Sequence, residues 1–312
     1  MDIDLKQNQP SDFFEEYYKL SPEKRFAYSI KFIIQKLSEQ SISAMIGAGF
    51  SKNANNDYPS WAALLFDAYK EMYSKEIKKK RKETEQELKK RIITDIQNKG
   101  EPNIAEEYEI FKRKRESLDL YIEDQLSKID SKKTQLETHK ALLFLNWCDI
   151  ITTNWDTLLE EARIGNEYSI VKEAKELKIS NKKRIVKING SLRDNDEQKE
   201  LKYEFDGCLD HLYIITKKDF NNYIQNHEGF SNFMKVKMLE NSFCLFGFSG
   251  NDYNFRYWMK ELKRTMTKGG TTKNPNPIFL FYIDEEPISK DLQQFYNNNY
   301  ILQPEDKRFP YL

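Results

Sequence analysis

The stretch Ser41-Ile-Ser-Ala-Met-Ile-Gly-Ala-Gly-Phe-Ser51 limits the possible folds more than any other part of the chain. It opens with residues suited to a buried strand and breaks into Gly47-Ala48-Gly49. After a polar loop it reaches Pro59-Ser60-Trp61, where an amphipathic run to Tyr73 begins. Strand, glycine turn, helix is the local plan of a dinucleotide-binding unit. Glycines without Cβ let backbone N–H groups approach a pyrophosphate, and the following helix N-terminus adds its positive dipole end. The same Gly-Ala-Gly also serves as a plain tight turn after a strand, so the decision rests on the segments downstream of Tyr73.

Further strand–turn–helix units do occur there. A helix over Thr138–Trp147 runs into the apolar Asp149-Ile-Ile-Thr152, which ends in Thr153-Asn154-Trp155-Asp156 before a helix opens at Leu158. Amide and carboxylate thus stand at a strand's C-terminal end, where open α/β sheets bind ligands. Asp156 reads equally well as a helix cap, whereas Asn154 has no such ready explanation. Arg184-Ile-Val-Lys-Ile leads to Asn189-Gly190-Ser191, and Leu212–Thr216 reads as a further strand, with a helix starting at Lys217. Ser242-Phe-Cys-Leu-Phe opens into Gly247-Phe248-Ser249, a helix spans Tyr253–Lys263, and Ile278–Ile283 is the closing strand. Strands alternating with helices predict an α/β fold: a doubly wound, Rossmann-like parallel sheet.

Around this frame lie two helical stretches. Residues 1–40 predict N-terminal helices, one carrying Phe13, Phe14, Tyr17, Tyr18 and Leu20. The other is capped by Ser21 with Pro22 at its first position, and places Phe26, Ile30, Ile33, Ile34 and Leu37 on one face. Residues 70–135 change character: Lys and Glu crowd together, Gly is confined to Gly100, and apolar residues recur at three and four. They predict a helical insertion of two or three helices, covering the ligand site or forming an oligomer contact. The remainder of the sheet is expected over 136–290, the whole chain 1–312 forming one domain.

Composition excludes several classes. Fifty basic and fifty acidic residues cancel, and Glu76, Glu83, Glu85 and Glu87 interleave with the lysines of the 75–91 run, so direct nucleic-acid binding is not expected. No signal-peptide order and no bilayer-length apolar run is seen, which predicts a cytoplasmic protein without a membrane partner. Cys148, Cys208 and Cys244 are scattered singly and form neither a disulfide framework nor a CxxC pair.

The ordered segments GAGFS (47–51), PSW (59–61), TTNWD (152–156), KINGS (187–191) and FGFSGND (246–252) resemble the sirtuin family, and most nearly its bacterial anti-phage-defence branch. The resemblance spans roughly residues 40–285. It implies NAD as substrate or ligand, with Gly47, Ala48, Gly49 and Ser51 at the phosphates. Gly247 and Ser249 would lie near the adenosine ribose, and Asn154 and Asp156 would face the nicotinamide ribose. Two departures accompany it. Sirtuin deacylases carry a four-cysteine zinc module, which three dispersed cysteines cannot build, so no zinc is expected. The family's catalytic histidine, in a Lys-x-His-Gly-Ser context, is replaced here by Asn189, and an amide cannot act as a general base.

Protein deacylation is therefore rejected in favour of NAD hydrolysis to nicotinamide and ADP-ribose, with Asn154, Asp156 and Asn189 as the catalytic set. Loss of a general base typically costs such a reaction about 10²–10⁴-fold rather than all of its rate. The alternative is a weak or inactive module that binds NAD or ADP-ribose and acts through complex assembly. The family resemblance further implies a homo-oligomer and a separately encoded ATPase or sensor partner. Of the three histidines, His139, His211 and His227, none has motif support as a substitute base.

Overall fold

The computed structural model describes residues 10–77, 83–165, 167–178, 183–192, 213–248, 253–268, 276–281, 290–298 and 301–302. Among them, seven strands form one sheet: β1 (Ile42–Ile46), β2 (Ile150–Thr152), β3 (Tyr168–Val171), β4 (Lys183–Lys187), β5 (Ser242–Phe246), β6 (Ile278–Phe281) and β7 (Ile301–Leu302). Their spatial order is β3-β4-β2-β1-β5-β6-β7, and every pairing is parallel. The fold is the α/β, Rossmann-like one that the alternation of strand and helix patterns implies.

A parallel sheet carries helices on both faces, so its central strands are apolar on both sides. All five residues of β1 are buried. Met45, Ile151, Val186, Phe243 and Leu245 face one core, shared with α11 (Lys217–Asn226), α12 (Glu228–Glu240), α13 (Tyr253–Lys268) and α14 (Lys290–Asn298). Ile42, Ala44, Ile46, Ile150, Ile185 and Cys244 face the other, covered by α1 (Pro10–Lys19), α2 (Pro22–Ser38) and α9 (Glu137–Phe144). Each aliphatic side chain so enclosed contributes about 1.5–3 kcal/mol.

The face that α2 buries is the expected one with one exception, for Ile33 is buried and Ile30 and Leu37 pack against the same core. Tyr28, Phe32 and Ile33 are buried, whereas Ile34 is 61% exposed. On this face α1 packs against α2: Phe13 stacks on Tyr28 and meets Phe32 in a tilted contact, with ring centroids 5.2 and 4.5 Å away. Ser21 occupies the N-cap with extended backbone, but its side chain caps no N–H.

Between β1 and β2 lie α3 (Ala48–Ser51), α4 (Trp61–Leu64) and α5 (Phe66–Met72), then α6 (Glu85–Lys99), α7 (Glu101–Lys112) and α8 (Arg115–Ser127). The expected single run Trp61–Tyr73 is broken at Leu65. A capping box at Thr84 and Glu87 starts α6, and Gly100, at φ +85°, separates it from α7. Leu88, Ile92, Ile96, Ile104, Tyr108, Leu118 and Ile122 build a third core against α4, α5, Tyr213 and Ile215. Ile110 and Phe111 stay outside this core, 68% and 50% exposed.

Two expectations about strands are corrected. Leu212–Thr216 is not a strand of the sheet: Tyr213 makes one antiparallel bridge to Gly190, and Leu212 lies outside the described residues. The physical reason is that Thr216 is already taken as the N-cap of α11, and β4 is flanked on both sides by β2 and β3. β3 takes the place beside β4 instead. At the other edge, the segment at Ile278 does not close the sheet, because β7 pairs beyond β6 and past residue 290. Among the described residues no helix is long and apolar enough to cross a membrane.

Candidate functional site

The register decides which loops meet. Ile46 pairs with Thr152 and Phe246, and Thr152 pairs with Lys187. Gly47, Thr153, Ile188 and Gly247 therefore emerge level, at the C-terminal edge. The chain leaves β1 towards β2 on one side and later fills the other side with β5. The crevice between β1 and β5 is thus the topological switch point, where open α/β sheets take their ligands.

At that point two loops touch backbone to backbone. Gly47 N–H donates to the Phe246 carbonyl (3.0 Å) and Gly49 N–H to the Gly247 carbonyl (2.9 Å). A Cβ on Gly47 would stand 2.6 Å from the Gly247 oxygen, and one on Gly247, at φ +59°, only 2.0 Å from the Phe50 nitrogen. The glycines are thus required by each other. The Gly47 and Gly49 N–H groups are engaged within the protein rather than turned to a pyrophosphate; Ala48 and Ser51 of this turn do line the adjoining cavity.

That cavity is walled by Ala48, Ser51, Tyr58, Trp61, Leu126, Asn154, Asp156, Asn189, Ile214 and Phe220, among others. Asn154 is its most constrained polar residue, buried to 8% exposure. Its Nδ2 donates to the Gly47 carbonyl (3.1 Å) and to Ser51 Oγ (3.0 Å), and its backbone N–H to Thr152 Oγ1 (3.0 Å). The Ser51 hydroxyl in turn donates to Asp156 Oδ2 (2.7 Å). A carbonyl only accepts and this hydroxyl's proton is directed at a carboxylate, so the amide has one orientation. Its Oδ1 is left buried, with no hydrogen-bond partner among the described residues. Asp156 also caps, since its Oδ1 accepts from Leu158 N–H (3.2 Å) at the start of α10 (Leu158–Glu161). Serine, asparagine and aspartate from two separate motifs thus form one chain of hydrogen bonds at the head of the crevice.

A family model described as "SIR2-like domain" matches residues 149–303, the half of the chain from β2 to β7. The chain carries a SIR2-like domain. It is also similar to Defense-associated sirtuin 2 of Bacillus subtilis, 22% identical over 302 residues, covering 95% of this chain and 26% of that protein. The chain therefore spans about a quarter of the length of that curated relative.

Within the SIR2-like domain Asn189 stands where the resemblance places a histidine. It is buried, its Oδ1 accepts from Asn254 Nδ2 (3.4 Å), and its carbonyl accepts from Trp155 Nε1 (2.9 Å) and Ile214 N–H (2.9 Å). Gly247 sits at the switch point, while Ser249 lies outside the described residues. His139 is buried on α9 with its ring 4.6 Å from that of Phe50. Burial lowers its pKa, against the pull of the Asp156 charge, so the ring is neutral at pH 7. His211 and Cys208 lie outside the described residues. Among those described, no group of three or more His, Cys, Asp or Glu is placed to hold a metal.

Sequence reasoning passed over several walls of the cavity. Leu126 comes from α8, Ile214 from the segment before α11 and Phe220 from its first turn, a convergence that no linear spacing announces. Tyr58 is held protonated by burial and by the charges of Asp156 and Glu161, which raise its pKa, and so offers a hydroxyl donor. Trp61 Nε1 is buried without a hydrogen-bond partner among the described residues. Lys187 did leave a signal, a charged residue inside the apolar run Ile185-Val186-Lys187-Ile188.

Proposed function

We propose that this chain binds NAD across the β1–β5 crevice and hydrolyses it to nicotinamide and ADP-ribose, as an effector of anti-phage defence. The single observation that carries the reading is Asn154. Its amide is clamped by two donated hydrogen bonds, its Oδ1 is buried with no hydrogen-bond partner among the described residues, and the residue lines the cavity. An unsatisfied buried acceptor costs about 1–3 kcal/mol, a cost that a bound donor removes. The donor would be the nicotinamide carboxamide N–H, a ribose hydroxyl or the attacking water. Cleavage breaks the bond from C1′ to the ring nitrogen and its electron pair leaves with nicotinamide. Water adds to C1′ and releases its proton. The developing positive charge on the sugar is favoured by the nearby Asp156 carboxylate. The anti-phage role rests on the similarity to the defence-associated relative; a homo-oligomer and a separately encoded sensor or ATPase partner remain part of this proposal.

A second reading, an NAD- or ADP-ribose-binding module without turnover, is favoured by Asn189, which supplies no titrating group and whose Oδ1 is engaged by Asn254. Nicotinamide release by the pure protein, alone and with its genomic neighbour, separates the two. Turnover by the wild type that falls about 10²–10³-fold in Asn154→Ala with the fold intact supports hydrolysis. Turnover that survives Asn154→Ala moves the chemistry elsewhere. NAD-dependent thermal stabilisation without any release supports the binding module.

A further inference from the structure

The loop that carries Asn154 and Asp156 is held from behind by a buried cation. Lys187 is the last residue of β4 and is fully buried. It pairs in register with Thr152, the residue at which β2 runs out into that loop. Its ammonium donates to the Asp156 carbonyl, to the Trp155 carbonyl (3.4 Å) and to Glu160 Oε1 on α10 (2.7 Å). Three donors meet three acceptors, which exhausts the group. Glu160 is the less satisfied partner, for its Oε2 is buried with no hydrogen-bond partner among the described residues.

A buried lysine–glutamate pair is poor evidence of a need for stability. Desolvation consumes most of its attraction, and apolar replacements of similar volume are often as stable. What an apolar side chain cannot do is hold two successive peptide carbonyls in place. Those peptides flank the site, and Trp155 is tied further to the segment that follows β4: Leu192 N–H donates to the Trp155 carbonyl (2.7 Å) and Trp155 Nε1 to the Asn189 carbonyl (2.9 Å). Removing Lys187 would take a donor from the Trp155 and Asp156 carbonyls at once, so that the loop shifts on the bonds that remain, those of Trp155 to Leu192 and Asn189 and those of the Asp156 carboxylate to Ser51 and Leu158.

We propose that Lys187 is a positioning residue, which sets the Asn154–Asp156 loop in register with β4 so that the amide and carboxylate reach the cavity together. The proposal rests on the reading that Asn154 contacts the ligand. The test compares wild type, Glu160→Gln and the double variant Lys187→Met/Glu160→Gln, which leaves no lone buried charge. Each is examined for its melting temperature, the Trp155 indole N–H resonance in ligand-free protein (assigned through Trp155→Phe), and its response to NAD.

The double variant is expected to melt within a few degrees of wild type while its Trp155 resonance moves or broadens. Nicotinamide release should then fall about 10²-fold, in kcat more than in KM, as expected for a misplaced rather than a missing group. Glu160→Gln keeps the ammonium on both carbonyls and should leave the Trp155 resonance and the NAD response near those of wild type. An unchanged Trp155 resonance in the double variant would overturn the proposal. So would a Glu160→Gln variant as disturbed as the double one, since the ion pair alone would then be at work; this arm also decides the matter should the double variant not fold. A wild type that neither binds nor cleaves NAD defeats the functional reading, yet the resonance still tests the role of Lys187.

Discussion

Gly247 adopts φ +59°, and any side chain added there would strike the Phe50 nitrogen at 2.0 Å. Gly247→Ala is therefore expected to cost about 3 kcal/mol or more, summing left-handed strain and the displacement of α3, and to remove NAD binding with it. Denaturant unfolding and an NAD-dependent thermal shift measure the two effects. Asn189→His restores a group titrating near neutrality and is expected to raise nicotinamide release about 10²-fold if the chain is a hydrolase. A rate that stays flat would place the base, if there is one, away from β4. Asn154, Asp156, Asn189 and the glycines were all legible in the sequence, because each sits in a short motif beyond an apolar strand. The partners they use were not. Nothing in Gly-Ala-Gly says that its N–H groups bond to the carbonyls of Phe246 and Gly247 at the end of β5, or that the Ser51 hydroxyl bonds to Asp156, since both depend on which strands lie side by side.

An ion cluster joins the insertion to the start of α11. Arg115, at the start of α8, donates to Asp119 Oδ1 (3.1 Å), Glu109 Oε2 (3.1 Å) and Asp219 Oδ2 (2.9 Å). Burial acts to raise the Asp219 pKa, but the Arg115 charge and the N–H groups of Thr216 and Ile215 outweigh it and leave it lowered. Asp119 lacks those N–H groups, and burial pushes its carboxyl up to about 7 despite Arg115. A raised carboxyl means that the folded state holds more protons than the unfolded one between about pH 4 and 7. The stabilisation linked to Asp119 is thus fully present below its unfolded pKa and is lost as pH rises through 7. Asp119→Asn cannot titrate. Wild type should therefore lose stability relative to this variant as pH climbs from 5 to 8, by at most about 1.4 kcal/mol per pH unit. Parallel pH dependence of the two melting temperatures would show that Asp119 does not titrate there. Elements were legible where pattern and length agreed, as in β1, β5 and the helices of the insertion. β3 and β7 were missed because four and two residues carry too little periodicity. Leu212–Thr216 was misread because an apolar run looks the same whether it enters a sheet or lies under an insertion.

At the scale of the whole molecule, the described residues form two cores on the faces of the sheet and a third inside the insertion. Besides the insertion, that third core takes in α4, α5 and the segment at Tyr213 and Ile215, with Trp155 and Leu192 packed at its edge. Hydrogen exchange is expected to show α6, α7 and α8 opening as a unit at lower denaturant than β1, β2, β4 and β5. Simultaneous loss of protection in both would make the chain a single cooperative block. The pairing of β1 has a separate consequence, for the order in which the chain leaves the ribosome. Ser43 on β1 hydrogen-bonds to Asn241, just before β5, across 198 positions of sequence, and Gly47 and Gly49 wait for the carbonyls of Phe246 and Gly247. A nascent chain that already displays Asn154 and Asp156 still lacks the loop against which the glycine turn is set. If the chain consumes NAD, on which its own cell depends, this connectivity defers activity until most of the chain has been synthesised.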